Sequence, residues 1–360
     1  MTHVRDKPAE RRSPDDGTLS RFGVFLPSFV FDGDGHERAR GLLDFARRVE
    51  DLGFDSIFIT DHLMAARQFY RVSWLEPLTT LSFVAAVTRR VRLGTSVLIL
   101  PLRNPVILAK EIANLAYLSG NRYIIGGGVG WYGPEFEACG THKSERGRRS
   151  DEVLDILRGL LSGPRFTYQG DFFTLNNVTI EPRPQRPPPI WVAGGSQLQS
   201  EHSPERPVFA PSVMERVRNA DGWIARPTST SDQIAEDWRL LQGYARARGS
   251  NLDRITVAHE NFLHLVMSSD RERVQRDQHA AFRRVMSEAR GMDYLESVYL
   301  FGTPDEIVTK LQARADAGVQ YFVLHTLTPD PSQLELWVRR ILPYVQFNRG
   351  QAGTPADADQ

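Results

Sequence analysis

The residues able to move a proton or hold an anion mark a few short stretches. Asp61 and His62 close the run "DSIFITDH", placing a carboxylate beside a ring that exchanges a proton near neutral pH. "GVGWYG", Gly128 to Gly133, satisfies G-x-G-x-x-G, the turn that holds a dinucleotide pyrophosphate when it follows a strand and opens a helix. "AGGS", which ends at Ser196, is a small-residue turn whose N–H groups suit a phosphate. His259 and His264 lie in the apolar run "ITVAHENFLHLVMS" and read as satisfied core or rim residues. H-E-x-x-H, G-x-S-x-G and Walker A patterns are absent, so zinc hydrolysis, α/β-hydrolase chemistry and P-loop phosphoryl transfer lack their signatures. Cys139 is the sole cysteine and reads as an inert thiol; no metal site is expected.

Positioning these residues falls to a regular alternation. Strand runs "FGVFLPSF", "DSIFITDH", "RLGTSVLILP", "RYIIGGGVGW", "PIWVAGGS", "DGWIARP", "ITVAHENFLHLVMS" and "QYFVLHT" are separated by stretches of helical period. Leu42, Leu43, Phe45, Ala46, Val49 and Leu52 show that period in the first helix. Eight such steps predict an α/β fold, a single (β/α)8 TIM barrel with insertions after strands four and seven. Barrel chemistry sits at the C-terminal strand ends, where the candidates fall. A dinucleotide fold would place its Gly-rich turn at the first βα junction, with an acid about 20 residues on. Here the turn is at the fourth junction. Asp151 and Glu152, at that distance, fall at a predicted helix start and read as caps. The nicotinamide reading is set aside.

The 360 residues, 41% hydrophobic, suffice for one large barrel over residues 21–346. Residues 1–20 and 347–360 are polar and read as disordered arms. Forty-four Lys and Arg against forty-four Asp and Glu leave no electrostatic footprint for nucleic acid or an anionic membrane. With no signal-like or membrane-spanning run, a cytoplasmic protein with a small-molecule substrate is expected.

In joint order, "DH" on strand two, "GTSV" and "AKE" between Gly94 and Arg122, "GW" and "EFEA" between Gly126 and Gly140, "YQGDFF" and "PPIWVAGGS" resemble the bacterial luciferase-like flavin-dependent oxidoreductases, from about Phe22 to Tyr344. The resemblance implies a barrel that uses reduced FMN with O₂, or the deazaflavin coenzyme F420. It implies a non-prolyl cis peptide at Ser96–Val97 under the ring, Asp61 and His62 at the ring edge, and His62 as proton donor or acceptor in deazaflavin members. Gly126, Trp131 and Glu135 match the ring pocket; Arg146, Gly147, Gly194, Gly195 and Ser196 match the phosphate-binding elements. The leading expectation is a two-component monooxygenase, a homodimer served by a separate flavin reductase. Deazaflavin-dependent hydride transfer and a non-catalytic flavin-binding barrel are the alternatives.

Overall fold

The computed structural model describes residues 18–29, 34–197 and 208–347. Eleven strands form: β1 (Phe22–Phe25), β2 (Ser56–Ile59), β3 (Arg92–Thr95), β4 (Leu98–Ile99), β5 (Tyr123–Gly128), β6 (Phe166–Gln169), β7 (Thr174–Val178), β8 (Ile190–Gly194), β9 (Gly222–Ala225), β10 (Thr256–Leu263) and β11 (Tyr321–Thr326). Eight of them, β1, β2, β3, β5, β8, β9, β10 and β11, are joined in parallel in that order, and β11 pairs back onto β1. Leu93 opposite Tyr123 and Gly94 opposite Ile124 complete the ring. This is the expected (β/α)8 barrel.

Helices α1 (Gly35–Asp51), α2 (Pro77–Val87), α3 (Pro105–Ser119), α4 (Gly133–Ala138), α5 (Arg146–Ser162), α6 (Pro211–Arg218), α7 (Ser231–Arg246), α8 (Arg271–Val285), α9 (Met292–Val298), α10 (Pro304–Asp316) and α11 (Ser332–Arg340) accompany the strands. Their ends follow local chemistry. Asn104 Oδ1 accepts the N–H groups of Val106 and Ile107 ahead of Pro105, and Gly120 at φ 74° ends α3 in the left-handed conformation. Thr230 with Gln233 and Thr303 with Glu306 form capping boxes on α7 and α10.

Both insertions are present. After β5 the chain adds α4 and, beyond α5, the hairpin β6–β7. Asp151 and Glu152 are not caps, because α5 starts five residues earlier than the sequence suggested. Glu152 instead accepts the backbone N–H groups of Asp171, Phe172 and Phe173 and pins the hairpin turn; Asp151 pairs with Arg216. After β10 come α8 and α9, ahead of the barrel helix α10.

Inside the barrel, Ser56, Asp55, Arg92 and Tyr321 form a polar floor at the N-terminal strand ends, with Ser56 Oγ 2.5 Å from the Tyr321 hydroxyl. Above it, Phe58, Ile124, Trp191, Ile224, Ala258 and Val323 fill the centre. The barrel is thus a packed plug, open for chemistry only at its upper mouth. At its margins Leu19 is buried, and Phe347 packs edge-on against Phe22. Most of the two expected arms lies outside the described residues. No described helix is long and apolar enough to cross a membrane.

Candidate active site

The third strand run is broken where the resemblance places its special peptide. Ser96–Val97 is cis, and the break separates β3 from β4. A β-carbon at Gly126 would overlap the Thr95 carbonyl oxygen, and one at Gly128 the Val97 side chain. These two glycines admit the strand-three bulge, and protein occupies the space their side chains would need. Thr95 Oγ1 donates to the Gly126 carbonyl at 2.9 Å and so clamps the two strands together.

Asp61 serves this same bulge. Its Oδ2 accepts the Ile99 N–H at 2.9 Å and Arg103 Nη2 at 3.0 Å, and Arg103 reaches on to Glu76 at 3.3 Å. Burial pushes the Asp61 carboxyl up, against the pull of Arg103 and the Ile99 N–H. The sequence suggested that Asp61 would orient His62. The carboxylate at the imidazole is instead Glu135, whose Oε1 lies 3.3 Å from His62 Nδ1 and also accepts the Met64 N–H. Glu135 is fully buried, and its Oε2 has no hydrogen-bond partner among the described residues.

Around the imidazole stand Trp74, Tyr70 and Trp131, with ring centroids 5.1, 5.5 and 5.7 Å away. Phe69 packs edge-on against Trp131 at 4.7 Å. The loop after β2 that carries Phe69, Tyr70 and Trp74 is fastened to the strand-seven insertion. Arg71 N–H donates to Val285 O, Ser287 N–H to Phe69 O, and the Ser287 hydroxyl to Gln68 O. The insertion therefore acts as a buttress for the aromatic box.

One acid in the mouth was absent from the sequence reading. On β10, Ala258, Glu260 and Phe262 alternate inward; Glu260 accepts the Ser96 hydroxyl at 2.6 Å, while Phe262 stacks on His325, which also stacks on Phe25. Burial pushes the Glu260 carboxyl up to about 7, the Ser96 hydrogen bond opposing it. Burial also holds His325 well below its ordinary range. The only signal in the sequence was an acid on an expected barrel strand, with nothing local to say which way it faces. His259, its neighbour, faces outward and is fully buried beneath the helices beside the Arg226 backbone, and burial holds it well below its ordinary range, so it is a core residue.

Of the expected phosphate elements, Gly147 and Gly194 lie against α6. Gly147 approaches Arg216, whose guanidinium would lie 3.0 Å from an added β-carbon there, and Gly194 backs onto Val213. Arg146 Nη1 donates to the Lys143 carbonyl at the start of α5, a helix start without a side-chain cap. The Ser196 N–H donates to Asp237 Oδ2 at 2.8 Å, and its hydroxyl donates to the other oxygen. A β-carbon on Gly195 would meet that carboxylate as well. The turn thus spends the Ser196 donors on a protein acid, and Arg226 Nη1 donates to the Ser196 carbonyl at 2.6 Å. Gly147 and Gly194 thus lie against α6, Gly195 and Ser196 against Asp237 of α7, and Arg146 beside Lys143; Asp61, His62, Ser96, Val97, Gly126, Trp131 and Glu135 gather at the mouth, and β5–β8 pairing joins them to the strand that carries Gly194. Among the described residues no cluster of three His, Cys, Asp or Glu side chains is arranged to hold a metal.

An eight-stranded barrel with a buried His–Glu pair and an aromatic box at its C-terminal mouth defines an α/β-barrel enzyme whose chemistry is carried at that mouth. Residues 20–206 match the family model described as luciferase-like monooxygenase, and the chain belongs to that family of oxidoreductases. The F420-dependent glucose-6-phosphate dehydrogenase of Intrasporangium calvum is 26% identical over 337 residues, covering 84% of this chain and 94% of that protein. Two solved structures share the fold. An F420-dependent secondary alcohol dehydrogenase in complex with an F420–acetone adduct aligns with TM-score 0.74 and 18% identity over 91% of this chain and 99% of its own. A monooxygenase from Streptomyces bottropensis aligns with TM-score 0.75 and 22% identity over 90% and 99%.

Proposed function

We propose that the mouth binds deazaflavin coenzyme F420 and that the enzyme transfers hydride between this cofactor and the alcohol or carbonyl carbon of a small substrate. The observation that carries the reading is His62, set 3.3 Å from a buried Glu135 inside the box of Tyr70, Trp74 and Trp131. Such a ring is oriented by one nitrogen and left to give or take a proton with the other. The mouth suits a flat, polar-edged ring. It has aromatic walls, an orphaned carboxylate oxygen on Glu135 and a half-buried acid at Glu260. Ser96, Val97 and Trp131 would hold the ring, and Arg146 with Gly147 the phosphate end.

When bound, the cofactor supplies the hydride chemistry. The chain's own part is to exclude water with the aromatic box, to fix the substrate, and to move the accompanying proton at His62 Nε2. The long-range likeness to an F420-dependent dehydrogenase supports this choice of cofactor. A second reading is oxygen insertion with reduced FMN supplied by a separate reductase, and the family description favours it. Exposed Phe83 on α2 and Ile107, Tyr117 and Leu118 on α3 support assembly as a homodimer.

The test is anaerobic titration of the full chain with oxidised and reduced F420 and FMN, followed by oxygen consumption with an added reductase. F420 binding that excludes FMN, with no oxygen consumed, is the expected outcome. Selective binding of reduced FMN with oxygen uptake establishes the second reading.

A further inference from the structure

Glu260 stands at the centre of the barrel mouth with one hydrogen-bond partner among the described residues, the hydroxyl of Ser96. Its side chain is neither sealed nor exposed, and no ion pair among the described residues neutralises it. Around it stand Ser96 from the strand-three break, Tyr70 from the loop after β2, Tyr299 at the end of α9 and, one inward position further along the mouth, His325 on β11. The positive charge of Arg290 acts on both tyrosines. Both phenols are held protonated by burial, and His325 is held neutral, so none supplies a charge to balance a carboxylate.

We propose that Glu260 is a proton-exchanging positioning residue that acts through Ser96: it takes up a proton from water when a negatively charged reduced ring binds at Ser96–Val97. The inference rests on the flavin-type reading above and adds a residue and a linkage to it. A reduced isoalloxazine-type ring carries negative charge at neutral pH, and a second negative charge behind the same bulge opposes it. Protonated, Glu260 removes that opposition and still accepts the Ser96 hydroxyl. Its tendency to ionise near pH 7 means that a modest change in its surroundings suffices to shift it. Only a proton moves; Glu260 gains no electrons and forms no bond to the ring.

The experiment uses the full chain with reduced F420, and with reduced FMN as the second probe. Dissociation constants are measured from pH 6 to 9, and proton uptake on binding is read with an indicator dye in weak buffer. In the wild type the dissociation constant should rise toward about tenfold per pH unit above about pH 7, and binding at pH 8 should take up close to one proton per ring. Glu260→Gln, which can still accept from Ser96, should abolish the uptake and flatten the dependence. Ser96→Ala removes a hydrogen bond that favours the carboxylate, and so should move the break to higher pH. Uptake and slope retained in Glu260→Gln overturn the inference; should that variant fail to fold, an unmoved break in Ser96→Ala does so. Binding without pH dependence overturns this inference alone. Absence of binding by either probe at pH 6 overturns the flavin-type reading, and this linkage with it.

Discussion

Asp61 is the sharpest place to separate architecture from chemistry, because the sequence marked it as half of a catalytic pair and the structure ties it to the strand-three break. A single oxygen, Oδ2, accepts both the Ile99 N–H and the Arg103 guanidinium, and the side chain is buried. Asp61→Asn can set its amide oxygen in the same place and keep both bonds. It loses only their charge assistance, roughly 1–2 kcal/mol. Asp61→Ala leaves the Ile99 N–H without its acceptor and leaves Arg103 with Glu76 alone, at 3.3 Å, which costs roughly 3–5 kcal/mol. In a barrel of this size the alanine variant should melt roughly 5–10 °C lower, and the asparagine variant only a few degrees lower. Thermal unfolding followed by circular dichroism checks the grading. Cofactor affinity of Asp61→Asn, measured well below its melting point, should stay within about threefold of wild type, since the bulge keeps its anchor. An Asp61→Asn protein with wild-type melting and a cofactor affinity or turnover down by about a hundredfold would show that the carboxylate acts in the chemistry, and the structural argument would fail.

Three further outcomes follow from the same contacts. His62→Ala should lower turnover by roughly 10²-fold while leaving cofactor affinity nearly intact, as steady-state kinetics alongside fluorescence titration would show; equal loss of both would make His62 a wall of the pocket. Gly126→Ala forces a methyl group into the Thr95 carbonyl and should yield little folded protein, measured as the soluble, cooperatively melting fraction; a well-folded variant would mean that β3 and β5 part easily. Glu260, raised from 4.5 to about 7, contributes stability that is full below about 4.5 and is lost as pH climbs through 7. Wild type should therefore lose melting temperature relative to Glu260→Gln between pH 5 and 8, by an amount equivalent to at most roughly 3 kcal/mol; parallel curves would refute the shift.

The barrel was legible because its period is repeated eight times and each helix carries its own stops. Pro105 and Gly120 bracket α3, and the structure places that helix within a residue of the periodic pattern. Strand lengths were less legible. "FGVFLPSF" continues apolar to Phe29, but β1 ends at Phe25: beyond it the Leu26 N–H still bonds the Phe58 carbonyl, while the Ser28 N–H turns back to Leu26. Apolar character reports burial, and a buried loop at a barrel mouth has as much of it as a strand.

The site was legible only as far as chemistry stays local in sequence. Asp61 and His62 are adjacent in the chain, and adjacency suggested a pair. Both lie just past the end of β2, where Asp61 bonds the strand-three break while His62 meets Glu135. The partner that His62 needs must then come from a neighbouring element, and α4 supplies Glu135, seventy-three positions on. The same rule explains Glu260. Its partner Ser96 is 164 residues away, and nothing within "AHENF" separates an inward carboxyl from an outward one until the stacking of Phe262 on His325 fixes the face. Inward and outward positions swap with a slip of one residue, so β10 could not be assigned a face from its own letters. Closure of the ring assigns it, and places an uncompensated acid behind the segment that the family resemblance identifies with cofactor binding.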